Sequence, residues 1–301
     1  VPAEILAIRE INTGTYCFDG PALADALPRL AKDEATGEYF LPEVLPILRS
    51  EGRRIAAHVA PDPSINLGVN TRADLALVTA EARRRILERH MLAGVTVVDP
   101  QSTWIDADVE IEPDVTIEPG TYLRGATRIA TGAVVGPHTT ATDSRIGANA
   151  AVVRSHLVEA EVGEGCNVGP FAYLRPGAKL AAGAKAGTFV EIKNSVIEAG
   201  AKVPHLSYVG DAEVGEGANL GAGTITANYD GFRKHRTKIG ERARIGVHTS
   251  LVAPVAVGPE AYTGAGAVIR KDVGAGELAV SDAKQRNIEG YADRKKARED
   301  S

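Results

Sequence analysis

Aliphatic side chains recur every six residues through the middle and later parts of this chain. From Ile105 the step gives Ile111, Ile117, Leu123, Ile129 and Val135; from Val162 it gives Val168, Leu174, Leu180, Ala186 and Ile192. From Ile239 it gives Ile245, Leu251, Val257, Thr263 and Ile269. A helix repeats near 3.6 residues and a simple strand at 2, so a period of six fits neither alone. It fits a short strand and a tight turn, with one aliphatic pointing inward on each side of a coil. Three such sides close a triangular turn of about 18 residues, the parallel β-helix, and residues 105–270 would stack roughly nine coils. Aromatic content of 5% agrees, because a narrow prism accepts Val or Ile at each side but rarely Trp. The period does not fix the hand of the coil; the general crossover rule would favour right-handed.

The register slips where Ile192 leads to Ile197 and Val209 to Val214, steps of five. After Thr226 the pattern gives way to "ANYDGFRKHRTK" and restarts at Ile239. That polar, basic segment with Tyr-Asp-Gly reads as a loop leaving the coil, the place where repeat proteins often carry binding function.

The first hundred residues differ. "TYCFDGPALADALPRL" reads as strand, turn and short helix, and "GEYFLPEVLPILRSEGRRIAAHVA" as helix then strand, together part of an α/β domain. "TRADLALVTAEARRRILERHMLA" reads as a helix, with Leu75, Val78, Ala82 and Ile86 on one face and Asn70 or Thr71 as cap. The opening "VPAEILAIREINTG" enters a strand at once with no glycine-rich phosphate loop before it, which reads as a chain beginning partway through a domain. The expected divisions are 1–70 α/β, 71–94 linker helix, 95–280 β-helix and 281–301 a polar tail. A net charge of −5 argues against a general nucleic-acid footprint, and no window approaches a membrane span. Cys17 and Cys166 form no CxxC pair and read as reduced thiols of a cytoplasmic protein.

The order "EINTG", "GEYF", "GVNTR", linker helix, "LAGVTVVDP", then coils carrying "GPFAYLRPG", "FVEIKNS", "KVPHLSYVGDAEVG" and "GAGTITANYDG" resembles one family. It is the bacterial bifunctional N-acetylglucosamine-1-phosphate uridyltransferase / glucosamine-1-phosphate N-acetyltransferase, and the resemblance runs to about Asn287. It implies a left-handed parallel β-helix, a homotrimer, and acetyl transfer from acetyl-CoA to the amine of glucosamine-1-phosphate, feeding UDP-N-acetylglucosamine and cell-wall synthesis.

A sugar ammonium must lose a proton before it attacks a thioester, and an imidazole suits that task. His205 fits by residue type, and the family's catalytic base falls on it. Arg175 and Lys193 lie about one coil apart, a sensible phosphate clamp. By resemblance these two, with Tyr208 and Asn219, contact the sugar phosphate. Asn228 matches a residue near the developing oxyanion, where its donors could act. Tyr229, Ala222, Val247 and Ala265 match the acetyl-CoA site, and Arg233, Lys234 and Arg236 are candidate partners for its phosphates. The family often has Ser at the position of Val247 and Arg at that of Asp282; Lys284 or Arg286 could replace the latter. Asn12 matches a uridyl-sugar contact and Asn70 a magnesium ligand. The rest of that nucleotide and Mg2+ site is absent, so uridyl transfer is not expected of this chain.

Each reading has a plainer rival. A lone His in a coil turn is ordinarily solvated, "NYDGF" alone is a turn, and "ADRKKARED" reads as a frayed end. Two other classes remain: a trimerising scaffold without catalysis, and a metal-dependent hydrolase using His138 and His156, 18 residues apart but at different places in the hexad, with no third ligand evident.

Overall fold

A computed structural model describes residues 7–281, 285, 287–292 and 294–295. Contacts divide the chain into two compact units that meet at Glu81 and Ala82.

In the first unit, α1 (Gly20–Ala26) begins where the Asp19 carboxylate accepts from Ala22 N at 3.0 Å. It packs with α2 (Val44–Ser50) through a small core of Ala22, Ala26, Val44 and Leu48. α3 (Arg72–Leu92) runs across the division. Thr71 caps it: Thr71 Oγ1 accepts from Asp74 N at 3.1 Å, and the Asp74 carboxylate accepts from Thr71 N at 2.8 Å. The strands expected in this region do not form among the described residues. Extended backbone becomes a strand only against a partner, and the "RRIAAHVA" stretch has none among the described residues, where Ile55 and Val59 are exposed. The helical face expected through Leu75 is also corrected. Leu75 is exposed, and burial is confined to Leu87 and His90 near the C-terminal end. There Arg83 lies 4.5 Å over the Trp104 ring, and Arg89 donates to Ala107 O at 3.0 Å. No described helix is long and apolar enough to cross a membrane.

The second unit is the expected parallel β-helix. Its strands, two to four residues each, form three parallel sheets of 11, 10 and 9 strands, beginning at Thr96–Val97, Trp104–Ile105 and Glu110–Ile111. Up to the last coil each strand pairs with the third one along, so Ile117 lies beside Val135, Leu123 beside Ala141 and Ile129 beside Ile146. One aliphatic per strand points inward: Leu123, Val135, Leu157, Leu174, Ile192, Val209 and Leu220 are each fully buried. Burying such a side chain contributes about 1.5–3 kcal/mol, so stability accrues coil by coil.

The slips have a backbone cause. Steps of five are closed by Asp143, Arg154, Glu159, Asn194 and Asp211, at φ of 48, 44, 45, 45 and 52°. In these steps the left-handed residue stands two after the inward aliphatic, Asn194 after Ile192 and Asp211 after Val209, whereas in steps of six it stands three after, as Asn149 after Ile146; the conformation costs about 1 kcal/mol for a non-glycine. Coils therefore vary: Glu161 pairs with Lys179, 18 residues on, but Lys179 with Val196, 17 on. Glu213 pairs with Lys238, 25 on, because a loop leaves the coil at Asn228 and returns at Thr237. The loop closes on itself: Asp230 accepts from Phe232 N at 2.8 Å, Arg233 N at 2.6 Å and His235 Nε2 at 2.7 Å. Those bonds, the Arg233 amide first, hold the Asp230 carboxyl far below the usual carboxylate range.

Candidate active site

His205 ends the strand Lys202–His205, and its ring is exposed. Val203 and Val209 point inward and fully buried, while His205 and Tyr208 face outward. Gly187 permits the local packing, since a Cβ there would lie 2.0 Å from Pro204 O on the adjoining coil. His205 pairs with Thr188. Along that corner Gly223 N donates to His205 O at 3.3 Å, His248 N to Ala222 O at 2.7 Å and Gly266 N to Val247 O at 2.8 Å. His205, Ala222, Val247 and Ala265 therefore form one vertical file on consecutive coils, about 4.8 Å apart. Three residues expected to hold acetyl-CoA and the expected base share a single edge of the prism. Glycines keep this edge flat: a Cβ on Gly221 would lie 2.6 Å from the backbone of Gly246 and Val247.

The face of the second sheet carries the cations. Tyr173, Glu191 and Tyr208 stack in one file and lead to Ile225. Beside it Lys193 pairs with Gly210. Arg175 donates to Glu191 Oε1 at 2.8 Å, which raises its already high pKa. Lys193 Nζ lies 3.6 Å from Asp211 Oδ2. Lys234 reaches Lys193 from the loop. The nearby Lys193 amine lowers the Lys234 pKa, since two ammonium groups side by side disfavour the second proton. Lys234 was expected among partners for cofactor phosphates. It lies beside Lys193, a candidate sugar-phosphate contact, and Arg236 pairs with Glu213 at 3.4 Å.

At the next corner Asn194, Asp211 and Asn228 form another file, 17 residues apart. Asp211 is 5% exposed. Its Oδ1 accepts from Asn194 Nδ2 at 2.6 Å and its Oδ2 from Asn228 Nδ2 at 2.5 Å. Burial alone would raise its pKa; the bonds from Asn194 and Asn228 and the charges of Lys193 and Lys234 outweigh that, and the carboxyl lies below its ordinary value. Asn228 Nδ2 also lies 3.4 Å from Tyr208 Oη. Asn228, expected to offer donors to an oxyanion, gives one of its two N–H groups to Asp211. Sequence reading missed Asp211. Its signal is the 17-residue spacing, visible once both five-residue steps are counted.

Other expected residues lie apart. Asn219 pairs with Lys202 and Arg244 on the first sheet, not on the face holding Tyr208 and Lys193. Tyr229 is exposed, and its hydroxyl donates to Gly231 O at 2.6 Å within the loop. In the first unit, Asn12 bonds locally to Tyr16 and to Gly14 N, and Asn70 N donates to Asp74 Oδ2 at 3.1 Å. One exposed carboxamide does not suit a magnesium ion that wants octahedral oxygen, and no group of three acidic, His or Cys residues gathers among the described residues. His138 occupies a corner, whereas His156 lies on a sheet face, 5.2 Å from the Tyr173 ring; they share no file. Asp282, Lys284 and Arg286 lie outside the described residues. A hollow of about 670 Å³ along the third sheet contains none of these residues; among its charges Lys179 pairs with Glu161 at 2.8 Å and Arg128 with Glu110 at 3.2 Å.

No family model matches the chain. Among curated proteins, it is 56% identical over 289 residues, 96% of its own length, to a bifunctional protein GlmU from Kineococcus radiotolerans. It is 52% identical over 289 residues to proteins of the same name from Mycobacterium tuberculosis and Mycobacterium marinum. These alignments cover 59%, 58% and 59% of the relatives, so the chain spans about three fifths of their length. Solved structures overlap more weakly. A Francisella novicida UDP-N-acetylglucosamine acyltransferase is 15% identical, with 66% of this chain and 73% of that chain covered at a TM-score of 0.29.

Proposed function

We propose that this chain, a homologue of the GlmU proteins over 289 residues, transfers an acetyl group from acetyl-CoA to the amine of glucosamine-1-phosphate. The observation that carries the reading is the single file of His205, Ala222, Val247 and Ala265 beside a face bearing Arg175 and Lys193, with Lys234 on the loop next to Lys193. The small residues of the file hold acetyl-CoA along the corner, and the cosubstrate supplies the activated acyl group. Arg175, Lys193 and Lys234 hold the sugar's phosphate, outnumbering Glu191 and Asp211 by one charge when Lys234 is protonated. His205 then takes a proton from the sugar ammonium, and the freed amine attacks the acyl carbon. As the C–S bond breaks, the proton held by His205 passes to the departing thiolate, and the surplus proton on the former amine nitrogen is lost to solvent, leaving the neutral amide.

Asn219 supports a homotrimer as the working form. It lies on a different sheet from Tyr208 and Lys193, and two faces of one convex prism cannot line one cleft. A second copy presenting its first sheet to this chain's second sheet brings them together. Uridyl transfer is not assigned: the Asn12 side chain is turned to local contacts with Tyr16 and Gly14, and no group of three acidic, His or Cys residues gathers among the described residues.

The test is thiol release from acetyl-CoA with glucosamine-1-phosphate, for the unaltered chain and for His205→Ala. A drop of about a hundredfold or more supports the base. A folded trimer that never turns over favours the scaffold reading, and a variant equal to the unaltered chain removes His205 from the chemistry.

A further inference from the structure

We propose that Asp211 is a positioning residue of this site, fixing the Asn228 carboxamide and the Lys193 ammonium relative to one another. The proposal rests on the acetyl-transfer reading for its kinetic consequences but on geometry for its content.

Asp211 is held from several directions. Its amide donates to Lys193 O at 3.0 Å, and its carbonyl accepts from Thr237 N at 3.2 Å. Its carboxylate binds Asn194 on the coil before and Asn228 on the coil after, and faces the Lys193 ammonium. Asn228 and Thr237 are the residues where the loop leaves and rejoins the coil. One buried side chain and its own backbone therefore pin both ends of the loop that carries Lys234.

A carboxylate can only accept, so the group Asn228 turns toward it must be the NH2. The amide is thereby oriented: its Oδ1 is left as the free acceptor on the side away from Asp211. An Asn228 so fixed can receive an N–H from a ligand amine and cannot offer its bonded N–H to an oxyanion. The same carboxylate restrains Lys193, whose long side chain would otherwise sample many rotamers. Gly210 completes the arrangement by leaving room, since a Cβ there would lie 2.4 Å from Tyr208 Oη and 2.7 Å from Asn228 Nδ2.

Asp211→Asn tests this, because a carboxamide of the same shape cannot accept from both asparagines and must turn a donor toward one of them or toward Lys193. Thiol release with acetyl-CoA and glucosamine-1-phosphate is expected to show kcat down about thirtyfold or more and KM for the sugar phosphate up severalfold. Asp211→Asn combined with Asn228→Ala should be no worse than the poorer single variant. Losses that multiply, or a fall only in active fraction at unchanged KM, would reduce Asp211 to a structural residue and overturn the proposal. A second readout is independent of turnover. With asparagine-selective 15N labelling, the Asn194 and Asn228 side-chain amide protons should be shifted downfield by their short charge-assisted bonds and return to ordinary positions in Asp211→Asn. If they are ordinary in the unaltered chain, or unmoved by the substitution, the proposal fails. If they behave as expected while the unaltered chain releases no thiol, the acetyl-transfer reading fails and the geometric assignment stands.

Discussion

Gly210→Ala offers a way to disturb the site without disturbing the coil. The added Cβ would lie 2.4 Å from Tyr208 Oη and 2.7 Å from Asn228 Nδ2. Comfortable carbon contacts begin near 3.5 Å, so each group must retreat by about 1 Å. The atoms struck are ends of side chains rather than backbone. The hydrogen bonds that hold this strand, Gly210 N to Thr226 Oγ1 at 2.7 Å and Thr226 Oγ1 to Gly210 O at 3.0 Å, need not change. Gly210 is not among the left-handed residues, so alanine fits its backbone. Asn228 must then stretch or break its bond to Asp211, a charge-assisted bond worth about 1.5–3 kcal/mol. A displacement of about 1 Å at a reacting centre costs on the order of a hundredfold in rate, about 2.7 kcal/mol, and the two estimates agree. The assay is kcat/KM for thiol release from acetyl-CoA with glucosamine-1-phosphate, beside a thermal melt. The expected result is kcat/KM lower by about a hundredfold with Tm within a few degrees. A folded variant with unchanged kcat/KM would show that Tyr208 and Asn228 are not needed where they stand. A collapse in Tm would show that the backbone, not the side-chain ends, gives way.

Ile192→Ala should cost about 2–5 kcal/mol in denaturant unfolding, because Ile192 is fully buried between Leu174 and Val209 in one inward file; a loss under about 1 kcal/mol would argue against that packing. His90 makes stability depend on pH. Burial first, and the Arg89 charge second, lower its pKa in the folded chain. The unfolded chain then binds the proton more readily, so this contribution is complete above the ordinary histidine pKa of about 6.5 and declines as pH falls from there toward the lowered folded value. Tm should drop between pH 7.5 and 5.5, and His90→Leu should flatten the drop; an equal slope in the variant would remove His90 as its source.

Most of the prism was legible because its core uses one residue per strand. A period of six from Ile105 or Val162 names inward positions directly, and no distant partner must be guessed: each coil finds its neighbour about 18 residues on. The first unit was not legible in the same way. "RRIAAHVA" has strand-like residues, but a strand is a property of two segments, and the pairing partner cannot be read from one of them. The site falls between these cases. His205, Ala222, Val247 and Ala265 align by counting coils and allowing for the loop, so the sequence already held that file. Asn194, Asp211 and Asn228 align only if the short steps at Ile192–Ile197 and Val209–Val214 are taken as fixing a coil of 17. Those steps require a left-handed residue in the turn, which Asn and Asp accept most readily among residues with a Cβ. The polar residues that make the short turn tolerable are therefore the same ones whose side chains stack above one another to bind Lys193 and orient Asn228. The shortened coil is a reason for the site being where it is: a turn built on glycine would close as easily but would leave nothing at that corner to hold the loop.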